Sequence, residues 1–411
     1  MPTFAYTFRD AAGTVRSGTS EAESAETLRR RLQEQGFTVT EVRQIRAQRP
    51  GGGWGRVKLS DLAIFCRQFS TMQDAGVSIV RSLDVLSQQT QSPKLRRILM
   101  DIQAEVEAGQ TLSKAMSKYP NVFSNLFIGL IRAGEVGGVL EESLQRLAAF
   151  LEADVALRRK VRAAMTYPTI VVIAALAIVI GLVTFILPKF FDVFRDLGIK
   201  EFPVMTQMLM DFSNFLTSRW YVMIAIVILV VIAFRMFVRT RIGRRLYDRL
   251  KLKLPVFGPL NHKIALARFS RTLSTLLSSG VPILQALETV AGTVANEIIA
   301  EAVMEARARI REGDRIGPPL EKSGLFPPMV VHMISIGEES GALDQMLSKV
   351  ADFYESEVES TLQSLTSAIE PVLIVLLGGM VGFIVISLLL PLITAVQSLA
   401  GGQGGGAEGG G

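Results

Sequence analysis

The chain reads as an all-α membrane protein: two homologous helical-bundle domains of about six helices each, three transmembrane helices, and a small N-terminal α+β module. Three observations predict this. Hydrophobic residues make up 49% of the 411 and mean hydropathy is +0.35, yet charged residues still reach 20%. That mixture suits water-facing domains joined to a few spans. Three long apolar runs have the length of a bilayer core, and the second half of the chain repeats the first at a shift of about 204 residues.

Residues 1–48 form the N-terminal module. FAYTFR and VRSGTS flank Asp10-Ala-Ala-Gly13 and predict a β-hairpin, Ala22–Gln35 an amphipathic helix, and FTVTEV a returning strand. The first thirty residues hold no apolar h-region, so no cleavable signal peptide is expected. RPGGGWG, within residues 49–58, predicts a flexible linker. The first helical domain is placed at 59–165. Leu62, Phe65, Phe69 and Met72 make a helical stripe behind Ser60 as N-cap. Gly76 and its repeat Gly280 suit left-handed positions after helix ends, and Pro282 suits the start of the next helix. Ser92 and Pro93 open a helix expected to end at Gly109.

The spans come next. Thr169–Leu187, inside a first span of 168–188, carries no charge over nineteen residues, which nearly crosses a core of about 30 Å at 1.5 Å per residue. Tyr221–Val238, in a second span of 220–238, is broken only by Arg235 near one end, where the side chain can snorkel. The third, 371–396, is uncharged and long enough to tilt. Basic residues set the direction. Arg158, Arg159, Lys160 and Arg162 precede the first span, and Arg239 through Lys253 supply seven more after the second. In the loop at 189–219 the bases are offset by acids. Both helical domains, 59–165 and 239–369, are therefore expected in the cytoplasm with the N-terminus, and the loop and C-terminus outside. The Gly-rich tail, 397–411, cannot build a core.

The repeat sets the architecture. At a shift of 204, Phe65, Arg67, Ser70, Thr71, Gly76 and Leu83 fall on Phe269, Arg271, Ser274, Thr275, Gly280 and Leu287. After a one-residue gap the shift is 203, and Gly134, Glu135, Phe150 and Glu152 fall on Gly337, Glu338, Phe353 and Glu355. Pro168 and Pro188 meet Pro371 and Pro391. Each unit is a helical domain plus one span, and the unpaired second span carries the chain back. The repeats are thus parallel rather than inverted. The shared phrase GE-x-x-G-x-L, at 134–140 and 337–343, reads as a turn in which Gly134 ends one helix and Gly138 admits the chain to the next. Glu135 and Glu338 serve that turn or contact a partner.

Chemistry is sparse. Cys66 is the one cysteine, in apolar AIFCRQF, and reads as a buried thiol. His262 and His332 are the only histidines and lack metal-ligand spacing. No phosphate loop or nucleophile elbow is present, so no catalytic, cofactor or metal residue is assigned. The net charge of +6 sits beside apolar runs, which sets nucleic acid aside. A transporter or channel built from parallel repeats is the alternative, but the spans offer only small polar groups such as Thr184 and Ser387. Arg67 and Arg271 read as bundle salt bridges or as partner contacts. Gly378 and Gly382 form a GxxxG that lets another helix approach closely.

Together, FCRQFSTMQDAGVSIVRSLD, the two GE-x-x-G-x-L turns and the ending IEPVLIVLLGGMVGFIVISLLLP resemble the type II secretion system protein F / type IV pilus inner-membrane platform protein family, over residues 1–398 or so. The resemblance implies a non-enzymatic, cofactor-free platform in the bacterial inner membrane. Its implied partners are a cytoplasmic hexameric assembly ATPase, pilins or pseudopilins and other inner-membrane assembly components, and it implies a homo-oligomer. On that reading the partner-contact candidates are Arg67, Glu135, Glu152, Arg271, Glu338 and Glu355, and the helix-packing candidates are Gly378 and Gly382.

Overall fold

The computed structural model describes residues 3–9, 15–21, 26–27, 29–30, 38–45, 55–196, 202–255 and 257–402. In the N-terminal module, β1 (Thr3–Arg9) pairs antiparallel with β2 (Val15–Glu21) and with β3 (Thr38–Ile45), in the order β2-β1-β3. The β1–β3 ladder shifts register between Thr7 and Phe8. The hairpin turn, most of the helix expected at Ala22–Gln35, the linker at 49–54 and the tail at 403–411 lie outside the described residues.

The first repeat is built from α1 (Leu59–Asp74), α2 (Ile79–Gln89), α3 (Pro93–Glu107), α4 (Leu112–Ser117), α5 (Asn125–Gly137) and the N-terminal half of α6 (Leu140–Gly181). After a π-helical turn at Leu182–Ile186, the chain continues as α7 (Leu187–Asp196). Next come α8 (Val204–Ser218), α9 (Trp220–Arg239) and α10 (Arg241–Lys253). The second repeat is α11 (Phe257–Ser278), α12 (Ile283–Thr293), α13 (Glu297–Arg311), α14 (Gly317–Lys322), α15 (Pro328–Ser340) and α16 (Leu343–Gly402).

The repeat seen in the sequence is also a repeat of elements. Helices α2 and α12, and α3 and α13, are offset by 204 at both ends; α5 and α15 are offset by 203. The predicted stripes fill the cores: Phe65 and Phe69 on α1, and Phe269, Leu273 and Leu276 on α11, are all buried. Cys66 is fully buried as expected, and burial pushes its thiol pKa well up, with the Glu152 charge adding to the effect. Gly76 and Gly280 take left-handed φ values of 72° and 76°. Among the described residues, three helices are long and apolar enough to cross a membrane: Leu140–Phe194, Tyr221–Arg239 and Leu343–Thr394.

The structure departs from the sequence reading in four places. Ser60 is not the cap of α1, which starts two residues earlier than that cap would set, behind Lys58 and with no side-chain cap; the Ser60 hydroxyl instead donates to Asp61 Oδ1. The described residues of the stretch expected as a loop, 189–219, are largely helical: Pro203 stands just before α8, and every turn of α8 carries apolar groups that can be buried. Helix α16 runs six residues past Val396, through Gly402. Gly134 does not end α5, for a reason given by its packing below.

Candidate functional site

The site grows from the doubled turn. Helix α5 runs through Gly137 and is stopped by Gly138 at φ 70°; α15 is stopped by Gly341, also at φ 70°. A side chain is strained in that left-handed region, so glycine terminates both helices. Gly134 and Gly337 do different work inside the last turn. A Cβ on Gly134 would stand 2.6 Å from Ser143 Oγ, and one on Gly337 2.7 Å from Leu343 Cα. These glycines let the next long helix cross directly over the one before it.

The neighbouring carboxylates point back into their own domains. Glu135 accepts the backbone N–H groups of Leu112 (2.5 Å) and Ser113 (3.1 Å), at the start of α4. Glu338 accepts the N–H of Ile316 at 3.0 Å, at the start of α14. Each acid thereby caps a helix of six residues whose N–H groups have no intrahelical partner. Spacing along the chain could not show this, because cap and helix lie 22–23 residues apart. Replacing Glu135 or Glu338 with Ala should lower stability by about 1–2 kcal/mol, with faster hydrogen exchange at the amides of Leu112 and Ser113 or of Ile316 as the local measurement.

The repeated charges pair with each other. Arg67 grips Glu152 through Nε (2.7 Å) and Nη2 (2.5 Å), a two-pronged contact between α1 and α6. Arg271 donates to Glu355 from Nε (3.0 Å) and to Asp352 from Nη2 (2.5 Å), joining α11 to α16. So four of the six partner-contact candidates are two equivalent salt bridges. The Arg67 hydrogen bond holds the Glu152 carboxyl below its ordinary pKa, and Glu152 raises Arg67 in turn. Burial works against the charge on Arg271, but its hydrogen bonds to Glu355 and Asp352 prevail and raise its pKa.

Between the repeats lies a cleft of about 240 Å³, lined by Phe150, Asp154 and Leu157 from α6 and by Arg268, Thr272 and Glu355 from the second repeat. Asp154 is held by Arg158 one turn on (2.9 Å) and by Arg268 across the seam (3.1 Å). Burial lowers the Arg268 pKa, against the raising effect of Asp154. Farther along, Lys160 reaches Glu359 at 2.7 Å, above an apolar cluster of Leu157, Leu260, Val358, Leu362 and Leu365. Asp154 and Arg268 are absent from the sequence-level candidates because this pair is not duplicated. The equivalent of Arg268 is Ile64, 58% exposed, and that of Asp154 is Glu357, which pairs with Lys263 at 2.7 Å.

Family models for type II secretion system (T2SS) protein F match residues 65–188 and again 269–391, the two copies of the repeat, and its N-terminal domain matches residues 1–43. The chain belongs to the type II secretion system protein F family. Relatives share nearly its whole length. It is 44% identical over 411 residues to "Type IV pilus assembly protein PilC" of Thermus thermophilus, covering 97% of this chain and 100% of that one. It is 41% identical to the protein of the same description in Myxococcus xanthus, covering 97% and 95%. It is 35% identical to "Type II secretion system protein F" of Vibrio cholerae, covering 96% and 98%. Both matched segments of the protein F family open on the α1 and α11 stripes and close on the prolines Pro188 and Pro391. The family unit is therefore the helical domain together with its span.

The remaining candidates, Gly378 and Gly382, lie on α16 with open space where a Cβ would stand.

Proposed function

We propose that this chain is the inner-membrane platform of a type IV pilus or type II secretion machine. In this role it couples a cytoplasmic hexameric assembly ATPase to the insertion of pilin or pseudopilin subunits into a growing fibre. The observation that carries the reading is the continuity of α6 and α16. Each begins inside a helical domain at the GE-x-x-G-x-L turn and enters its apolar span as one helical segment, Leu140–Phe194 and Leu343–Thr394. A helix so extended passes a displacement of its domain into the bilayer. The basic residues before the first span and after the second support a cytoplasmic side for both domains, the side on which an ATPase would reach them.

The platform works without catalysis of its own. Arg67 and Glu152 are half-exposed and can be reached by a partner directly, while Glu135, Glu338, Arg271 and Glu355 shape the surface that it meets. Gly378 and Gly382 are the proposed seat of helix packing between copies. The test combines Glu135→Lys, Glu338→Lys and Arg67→Glu, taken singly in the full chain, with thermal melting to confirm a folded protein. Co-purification of the assembly ATPase and fibre or secretion output should fall together, by at least about tenfold, or 1.4 kcal/mol of binding. Folded variants that leave both intact would remove these residues from the coupling surface.

A further inference from the structure

Helix α8 is the element that the span-and-loop reading left without a task. A proline inside a helix has no N–H to donate, so a carbonyl one turn back goes unpaired. Pro391 stands four residues after Ser387 in α16, and the Ser387 carbonyl accepts the Thr206 hydroxyl of α8 at 2.7 Å. Pro188 stands five residues after Val183, the spacing of the π-helical register through Leu182–Ile186. The Val183 carbonyl accepts the Ser213 hydroxyl of α8, also at 2.7 Å. Pro188 and Pro391 are repeat equivalents, so one helix satisfies the same break in both copies. Thr206 and Ser213, both buried, are seven residues apart, roughly 10 Å along a helix, which is the distance between two packed helices. Helix α8 therefore lies across the two spans.

Its depth follows from the same bonds. Counted from Thr169 and Pro371 at 1.5 Å per residue, Val183 and Ser387 lie roughly 21–24 Å into a core of about 30 Å. That is some 6–9 Å short of the far boundary, the depth to which interfacial helices sink their apolar face, about 5–10 Å. The surface of α8 divides to match. Thr206, Leu209, Ser213 and Leu216 are buried on the spans. Gln207, Asp211, Asn214 and Ser218 form an exposed polar stripe. Between the two runs a third stripe of Val204, Met208, Phe212 and Phe215, which is apolar yet 71%, 65%, 51% and 40% exposed.

We propose that α8 is a membrane-lying strap in the leaflet opposite the helical domains, its apolar stripe among lipid acyl chains and its hydroxyls locking the two proline breaks. The proposal rests on the three spans lying in a bilayer and not on which machine they serve. The test uses the full chain, with Cys66→Ala, in vesicles of phosphatidylethanolamine and phosphatidylglycerol. Nitroxide labels are placed singly through Met208→Cys, Phe212→Cys, Gln207→Cys and Asn214→Cys, with Leu176→Cys in the first span as reference. Oxygen should collide with labels at 208 and 212 as often as at 176. A water-soluble nickel complex should reach 207 and 214 severalfold more often than 208 and 212.

Nickel access at 208 and 212 equal to that at 207 and 214 would put α8 in water and overturn the proposal. So would labels at 208 and 212 that neither reagent reaches, since protein would then cover the stripe. Nickel access at 176 would instead sink the spans themselves. Adding Thr206→Val with Ser213→Ala should erase the contrast between the stripes; a contrast that persists would show that the hydroxyls do not hold the strap.

Discussion

Gly337→Ala should destabilise the second repeat by about 3 kcal/mol, the upper part of the range for forcing an extra methyl into a packed site. The added Cβ would meet Leu343 Cα at 2.7 Å, and a backbone atom at the start of α16 cannot rotate aside. The helix-propensity gain from replacing glycine, roughly 1 kcal/mol, offsets only part of this. Gly134→Ala should be gentler, because the nearest obstacle is the Ser143 side chain, at 2.6 Å from Oγ and 2.7 Å from Cβ. Adding Ser143→Gly should restore part of the loss at Gly134, and no single side-chain truncation should do so at Gly337. Thermal melting of the full chain in detergent measures both. Equal losses at the two glycines, or a neutral Gly337→Ala, would mean that the helices do not cross as closely as described.

Arg271→Met should cost about 2 kcal/mol, whereas Arg67→Met, at the equivalent position, should cost less than about 1 kcal/mol. The difference comes from solvent. The side chains of Arg67 and Glu152 are 44% and 45% exposed, so water and salt screen the pair. Arg271 is 22% exposed, and its removal strands Glu355 and Asp352 together on α16. Those acids are themselves partly wet, which keeps the loss below that of a fully buried pair. A second readout separates the arginines. With its carboxyl held below the ordinary range by Arg67, Glu152 contributes stability above the usual carboxylate pKa. That contribution is lost as pH falls through the lowered value. Arg67→Met should remove this acid-sensitive part of the melting curve.

The large features of the fold were legible because they are periodic or compositional. An uncharged run such as Thr169–Leu187 has few alternatives to a span, and the 204-residue shift matched glycines, prolines and aromatic stripes at once. The salt bridges were half legible: Arg67 and Glu152 stood out as repeated charges, though not as partners of each other. The role of Glu135 was hidden, since a carboxylate that caps a helix 22 residues earlier looks in sequence like any acid beside a turn. Gly134 was misread because close helix crossing and helix termination both select glycine, and only the packing of Ser143 and Leu140 distinguishes them. The strap was missed for a related reason. Asp211, Gln207 and Asn214 gave its segment the polarity of a loop, and the hydroxyls that matter find their acceptors in spans far along the chain.

Arg268 on one side of the seam, facing Asp154, has Ile64 as its counterpart on the other copy. Two identical subunits joined about a twofold axis would have to make every contact twice, once in each direction. Fusion into a single polypeptide lifts that obligation, and the joint here is head-to-tail. Such a joint sets two different faces against each other instead of one face against its own copy. The position equivalent to Arg268 is the exposed, apolar Ile64, and the carboxylate equivalent to Asp154, Glu357, is taken up within its own repeat by Lys263, so the two ends of the molecule cannot be mistaken for each other.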